Sequence, residues 1–167
     1  MKKPIKLDGK IVSMLLERLS DEYTAFYFYQ SAQNWTQNVG FIKAAKFFEE
    51  EGADELVHAK KIISFLTDWN ITVALPDIDA PTLTFENLGE LISASYTMEY
   101  DLYEAYEETS MDIFKTGDLC VFDFLQFYRK TQTESVAQYS DMLNILDGVD
   151  VSDKFKMLLL EETLFEK

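Results

Sequence analysis

The sequence predicts an all-α protein: a bundle of four long helices with one long crossover and a short fifth helix at the C-terminal end. Three observations carry this. Prolines occur only at Pro4, Pro76 and Pro81, and the stretches between are rich in helix formers. Apolar residues recur at steps of three and four over four segments of about 30 residues. The breaks between these segments run short, long, short.

The first helix is expected from about 8 to 37, with the inward stripe Leu15, Leu19, Glu22, Phe26, Tyr29, Gln33. A break at TQNVG follows. The second runs from about 41 to 69, with Phe48, Glu51, Glu55, His58, Ile62, Phe65 and Trp69 inward. NITVALPDIDAPT, within about 70 to 84, is the long connection. The third helix runs from about 85 to 114, carrying Ile92, Ser95, Glu99, Leu102 and Tyr106. KTGD turns into the fourth, from about 119 to 146, with Leu125, Tyr128, Gln132, Val136, Tyr139 and Leu143. Ser152 or Asp153 is placed to cap a tail helix from about 153 to 166. Short loops make antiparallel neighbours, whereas about 14 extended residues span roughly 45 Å, the length of a 30-residue helix. Helices two and three can therefore run parallel, and the whole chain, 1–167, reads as one domain.

The composition is globular, at 47% hydrophobic, with a formal net charge of -15. That charge disfavours nucleic acid and suits small cations. The one cysteine, Cys120, cannot form an intrachain disulfide. With no signal-peptide core and no apolar run of membrane length, a cytoplasmic protein without a membrane partner is expected.

A lone Glu-x-x-His occurs by chance on many helices. Here all four helices place polar groups at mid-length on the inward stripe: Glu22 and Tyr29, Glu55 and His58, Glu99, and Gln132. Buried carboxylates without a counter-charge repel and are costly. A bound dication removes both problems, and Glu55 and His58, one turn apart, can hold the same ion. Carboxylates with one imidazole suit iron or manganese. The fourth helix has no second Glu-x-x-His, so any two-metal site is asymmetric, with one position held by Glu22, Glu55 and His58 and a weaker one by Glu55 and Glu99.

DEYTAFYFYQSAQNW, ADELVHAKKIISFL and FDFLQFYRKTQTES are similar in residue type and spacing to the first, second and fourth helices of bacterial non-haem ferritins. The resemblance covers nearly the whole chain. It implies a ferritin-like fold with Glu22, Glu55, His58, Glu99 and Gln132 as metal residues of a ferroxidase centre holding two irons per chain. Glu55 would bridge the irons, and Tyr29 would stand beside them. It implies oxidation of Fe(II) by dioxygen or hydrogen peroxide, storage of ferric mineral, no haem, and a homo-oligomeric shell of 24 subunits. In such a shell Phe155, Leu158, Leu159 and Leu164 would line a fourfold axis. A third iron position, for which Asp54 and Glu134 match in charge, is weakened because Thr131 and Ser135 are not acidic. The alternative in another class is a rubrerythrin-like di-iron peroxidase that retains its iron. Replacing Glu55 or His58 by Ala is expected to abolish fast oxidation. The fold should survive it, and the metal-free bundle should gain stability because the site carboxylates repel.

Overall fold

The computed structural model describes residues 4–166. Five helices follow in chain order: α1 Gly9–Val39, α2 Ile42–Asp68, α3 Leu88–Thr116, α4 Leu119–Leu146 and α5 Lys154–Leu164, with no strand among the described residues. α1 packs along α2 and α3 along α4, and α1 also meets α3. The crossover joins the two hairpins and is pinned where the Ser31 hydroxyl donates to the Thr82 carbonyl.

The caps explain where the helices begin and end. Asp8, Asn87, Asp118 and Asp153 each accept from a backbone N–H of the turn they precede, satisfying donors that a helix start leaves open. α1 runs through most of the expected TQNVG break and stops only at Gly40, whose φ of 92° is the left-handed conformation a C-terminal cap favours. α2 has no cap of its own at Phe41. Instead Glu161 of α5 accepts from the Ala44 N–H at 2.9 Å, so the tail helix supplies what the local sequence lacks.

The core divides into two apolar clusters, one around Leu15, Leu19, Ile62 and Leu125, the other around Phe47, Phe48, Leu91 and Ile92. Each fully buried leucine contributes on the order of 2 kcal/mol by leaving water. Several expected core positions are only half-buried: Phe26, Gln33, Phe65, Trp69, Val136 and Leu143. Ala25, Ala32, Leu66, Met142 and Leu146 take the interior instead. On α1 the small Ala25 and Ala32 face inward, where they let helix backbones approach closely. The tail also divides: Met157, Leu164 and Phe165 are buried on the bundle, while Phe155 and Leu159 are 70% and 63% exposed.

Candidate metal centre

Between the two apolar clusters the helices bring their polar residues together. Glu22 of α1 and Glu55 and His58 of α2 present ligand atoms all within 4.8 Å of one another, and all three side chains are buried. His58 Nδ1 lies 3.1 Å from Glu55 Oε2 and 3.3 Å from Glu22 Oε2. The shorter contact is to Glu55, and Glu22 Oε2 is left buried with only the longer approach of the same Nδ1. Its other oxygen accepts from the Tyr106 hydroxyl.

Glu99 of α3 stands beside this group, fully buried. Its Oε1 accepts from the Tyr29 hydroxyl and its Oε2 from Gln132 Nε2 at 2.7 Å. Thus Glu22, Glu55 and His58 form one tight group, and Tyr29, Glu99 and Gln132 form a second hydrogen-bonded set next to it. Charge links the two sets, since Glu99 raises the pKa of Glu55. Asp54 and Glu134, which match in charge a third iron position that the resemblance suggests, are both exposed and outside the cluster.

Burial chiefly, then the neighbouring acids, hold the protons here more tightly than water would. The Glu55 carboxyl is pushed well up by burial, partly offset by His58, with Glu22 and Glu99 raising it further. Glu99 is pushed up to about 7 by burial, against the lowering donors Tyr29 and Gln132. Burial of His58 favours its neutral form, but hydrogen bonds and charge from Glu22 and Glu55 outweigh this and raise it to about 10. Without metal the pocket therefore keeps an imidazolium on His58 and holds the protons of Glu55 and Glu99 more tightly than water would. A dication entering it displaces them. The donor set is hard oxygen with one imidazole, and one carboxylate oxygen already faces inward, met only by the longer approach of His58. Those residues fit iron.

Three neighbours were missed as part of the site by sequence reasoning. Tyr106 and Tyr128 were read as apolar stripe positions. Yet Tyr106 holds Glu22, and Tyr128 donates to the His58 carbonyl at 2.9 Å. Glu51 was placed on the inward stripe without a site role; it is buried and its charge raises Glu99. The available signals were tyrosine rather than phenylalanine on an inward stripe, and a carboxylate one turn before Glu55.

Residues 12–149 match the ferritin family, described as a ferritin-like domain. The chain belongs to the ferritin family. A probable bacterial non-heme ferritin-like protein of Haemophilus influenzae is 26% identical over 153 residues, covering 92% of this chain and 93% of that protein. A bacterial non-heme ferritin of Campylobacter jejuni is 25% identical over 83% of each chain. Among solved structures, an open pore ferritin from Archaeoglobus fulgidus superposes with a TM-score of 0.89 at 22% identity, covering 97% of this chain and 99% of that one. This last likeness is one of fold. The fold is the expected ferritin-like bundle with a short C-terminal helix.

Proposed function

We propose that this chain is an iron-storage protein that oxidises Fe(II) within its bundle, at Glu22, Glu55, His58, Glu99 and Gln132, with Tyr29 beside them. The observation that carries the reading is the buried Glu22–Glu55–His58 group, with ligand atoms inside 4.8 Å and one carboxylate oxygen met only by the longer approach of His58. A bundle core tolerates such a group only if something compensates its charge.

Iron is the substrate. Glu22, Glu55 and His58 form the tighter position. Glu55 and Glu99 offer the second, with Gln132 and Tyr29 orienting Glu99. Each Fe(II) gives one electron to dioxygen or hydrogen peroxide. The carboxylates favour the more highly charged ferric product over the ferrous substrate, which is where the site lowers the barrier. Tyr29 is stacked against Phe48 and Tyr139 at 5.9 and 6.4 Å. Burial first, then the Glu99 charge, hold its phenol well above its ordinary pKa, so it stays a donor. The weaker second position, with no imidazole of its own, lets oxidised iron pass on. In the reading we propose, it passes into a cavity enclosed by a homo-oligomeric shell of 24 copies, and no haem takes part. The exposed Phe155 and Leu159 on α5 are apolar surface that such a shell would cover.

The test is stepwise addition of Fe(II) in air to metal-free protein, following ferric absorbance past two irons per chain, with His58→Ala alongside. Fast oxidation of the first two irons, lost in the variant, and further iron co-eluting with a large assembly, are the expected results. Oxidation that stops at two, with iron kept on a small species, would instead mark a di-iron oxidoreductase and overturn the storage reading.

A further inference from the structure

Tyr106 is a buried phenol that the proposed chemistry leaves without a task. It lies on α3, fully buried, and its hydroxyl donates to Glu22 Oε1 across the bundle. It is the one hydroxyl that donates to Glu22 among the described residues. The other oxygen, Oε2, is buried and faces His58 Nδ1 at 3.3 Å.

The last torsion of a glutamate is soft and roughly two-fold, so a carboxylate with no donors swings between orientations. A donor on one oxygen sets the carboxylate plane and decides which oxygen points where. Tyr106 can hold that plane because its own ring is held. It stacks on Tyr128 with centroids 4.9 Å apart and planes 11° from parallel. Tyr128 in turn donates to the His58 carbonyl at 2.9 Å and meets the imidazole edge-on at 6.0 Å. The Arg18 guanidinium also lies over the Tyr106 ring, 6.0 Å from its centroid. A single stacked pair thus bears on two of the three residues of the tight group, Glu22 through its side chain and His58 through its backbone.

We propose that Tyr106 is a positioning residue for iron. Its hydroxyl holds Glu22 Oε1 so that Oε2 is presented to the ion shared with Glu55 and His58. The arrangement parallels Tyr29 and Glu99 on the other side of the centre, where a phenol likewise holds one carboxylate oxygen. Without its hydroxyl, Glu22 must be ordered by the arriving ion, and that ordering is subtracted from binding. The effect falls on Fe(II) affinity more than on the oxidation step.

The inference rests on the iron-oxidising reading, and Tyr106→Phe in the full-length protein separates the two. Phenylalanine keeps the ring, its stack and its volume. Initial rates of ferric absorbance against Fe(II) concentration are measured for the wild type, Tyr106→Phe and Glu22→Ala, with anaerobic Fe(II) titration of the first two. The expected result is an apparent KM raised about tenfold, the loss of one hydrogen bond to a charged group. The kcat should stay within a factor of two, and the melting point of the metal-loaded protein should barely move. The anaerobic titration should show the same weakening, which a loss of packing alone would not produce. A KM within a factor of two of wild type, or a fall in kcat with affinity unchanged, overturns the role of Tyr106. Wild-type oxidation that is absent, or indifferent to Glu22→Ala, overturns the underlying reading instead.

Discussion

Glu99→Gln tests the buried charge directly, because it changes one group by a single atom type. Glu99 accepts from Tyr29 and from Gln132. A glutamine in its place keeps one of these bonds through its oxygen, and Gln132 turns its amide to accept from the new NH2. The shape is conserved and the charge is gone. In the folded metal-free protein Glu99 is raised from its ordinary 4.5 to about 7. At 1.36 kcal/mol per pKa unit, ionising it inside the bundle costs on the order of 3 kcal/mol. The sign follows from proton uptake. Below pH 4.5 the group is protonated in both folded and unfolded chains and costs nothing. Between 4.5 and about 7 the unfolded chain gives up a proton that the folded chain keeps, so wild-type stability falls as pH rises. Above 7 the full cost is present. Metal-free Glu99→Gln should therefore melt with the wild type at pH 4 and above it at pH 8, by about 6–12 °C for a chain of this size. Thermal melts followed by circular dichroism, with a chelator present and equal protein concentrations, read this directly. A variant whose advantage is the same at both pH values, or which melts lower at pH 8, would refute the argument that burial of this carboxylate is uncompensated without metal.

Other outcomes follow from the same geometry. Glu55→Ala should abolish fast Fe(II) oxidation in the stopped-flow absorbance assay, since Glu55 faces both His58 and the Glu99 side of the centre. Metal-free His58→Ala should be destabilised by about 3 kcal/mol at pH 6, the cost of removing the cation of a buried pair. His58 is raised to about 10, so its contribution is fully present below about 6.5 and lost as pH rises through 10. The gap in melting point should narrow toward pH 10. This reverses the gain in stability expected from the sequence, because the imidazolium offsets the carboxylate repulsion that the gain relied on. Fe(II) added anaerobically should release protons and bind more weakly as pH falls below 7, which calorimetry in buffers of different ionisation enthalpy would show. Gly89→Ala should lower stability by about 1–3 kcal/mol, because its methyl would lie 2.8 Å from Val151 Cγ1, and urea titration of the metal-free protein measures it.

The helical register alone placed Glu22, Glu55, His58 and Glu99 on inward stripes, and the structure buries all four. That much was legible because a carboxylate stands out in a stripe that is otherwise mostly apolar. The four long helices and the crossover were legible for the same reason, together with the placement of the prolines. The boundaries were less so. α1 runs past the expected break because Thr36, Gln37, Asn38 and Val39 are all compatible with helix, and only Gly40 enforces the stop.

What the stripes could not contain was any relation between helices. Period and residue type determined which side of each helix faces inward and which polar groups come with it. They were silent on which oxygen meets which donor. Tertiary structure alone decided that Tyr106 holds Glu22, that Gln132 and Tyr29 share Glu99, and that Glu161 caps α2 from 117 residues away in sequence. It also decided that Ala25 and Ala32, rather than Phe26 and Gln33, lie against the neighbouring helices. The physical reason is that hydrophobic periodicity is set within one helix, turn by turn. Hydrogen bonds and charges in the centre depend on distances of about 3 Å between helices, which only their mutual packing determines.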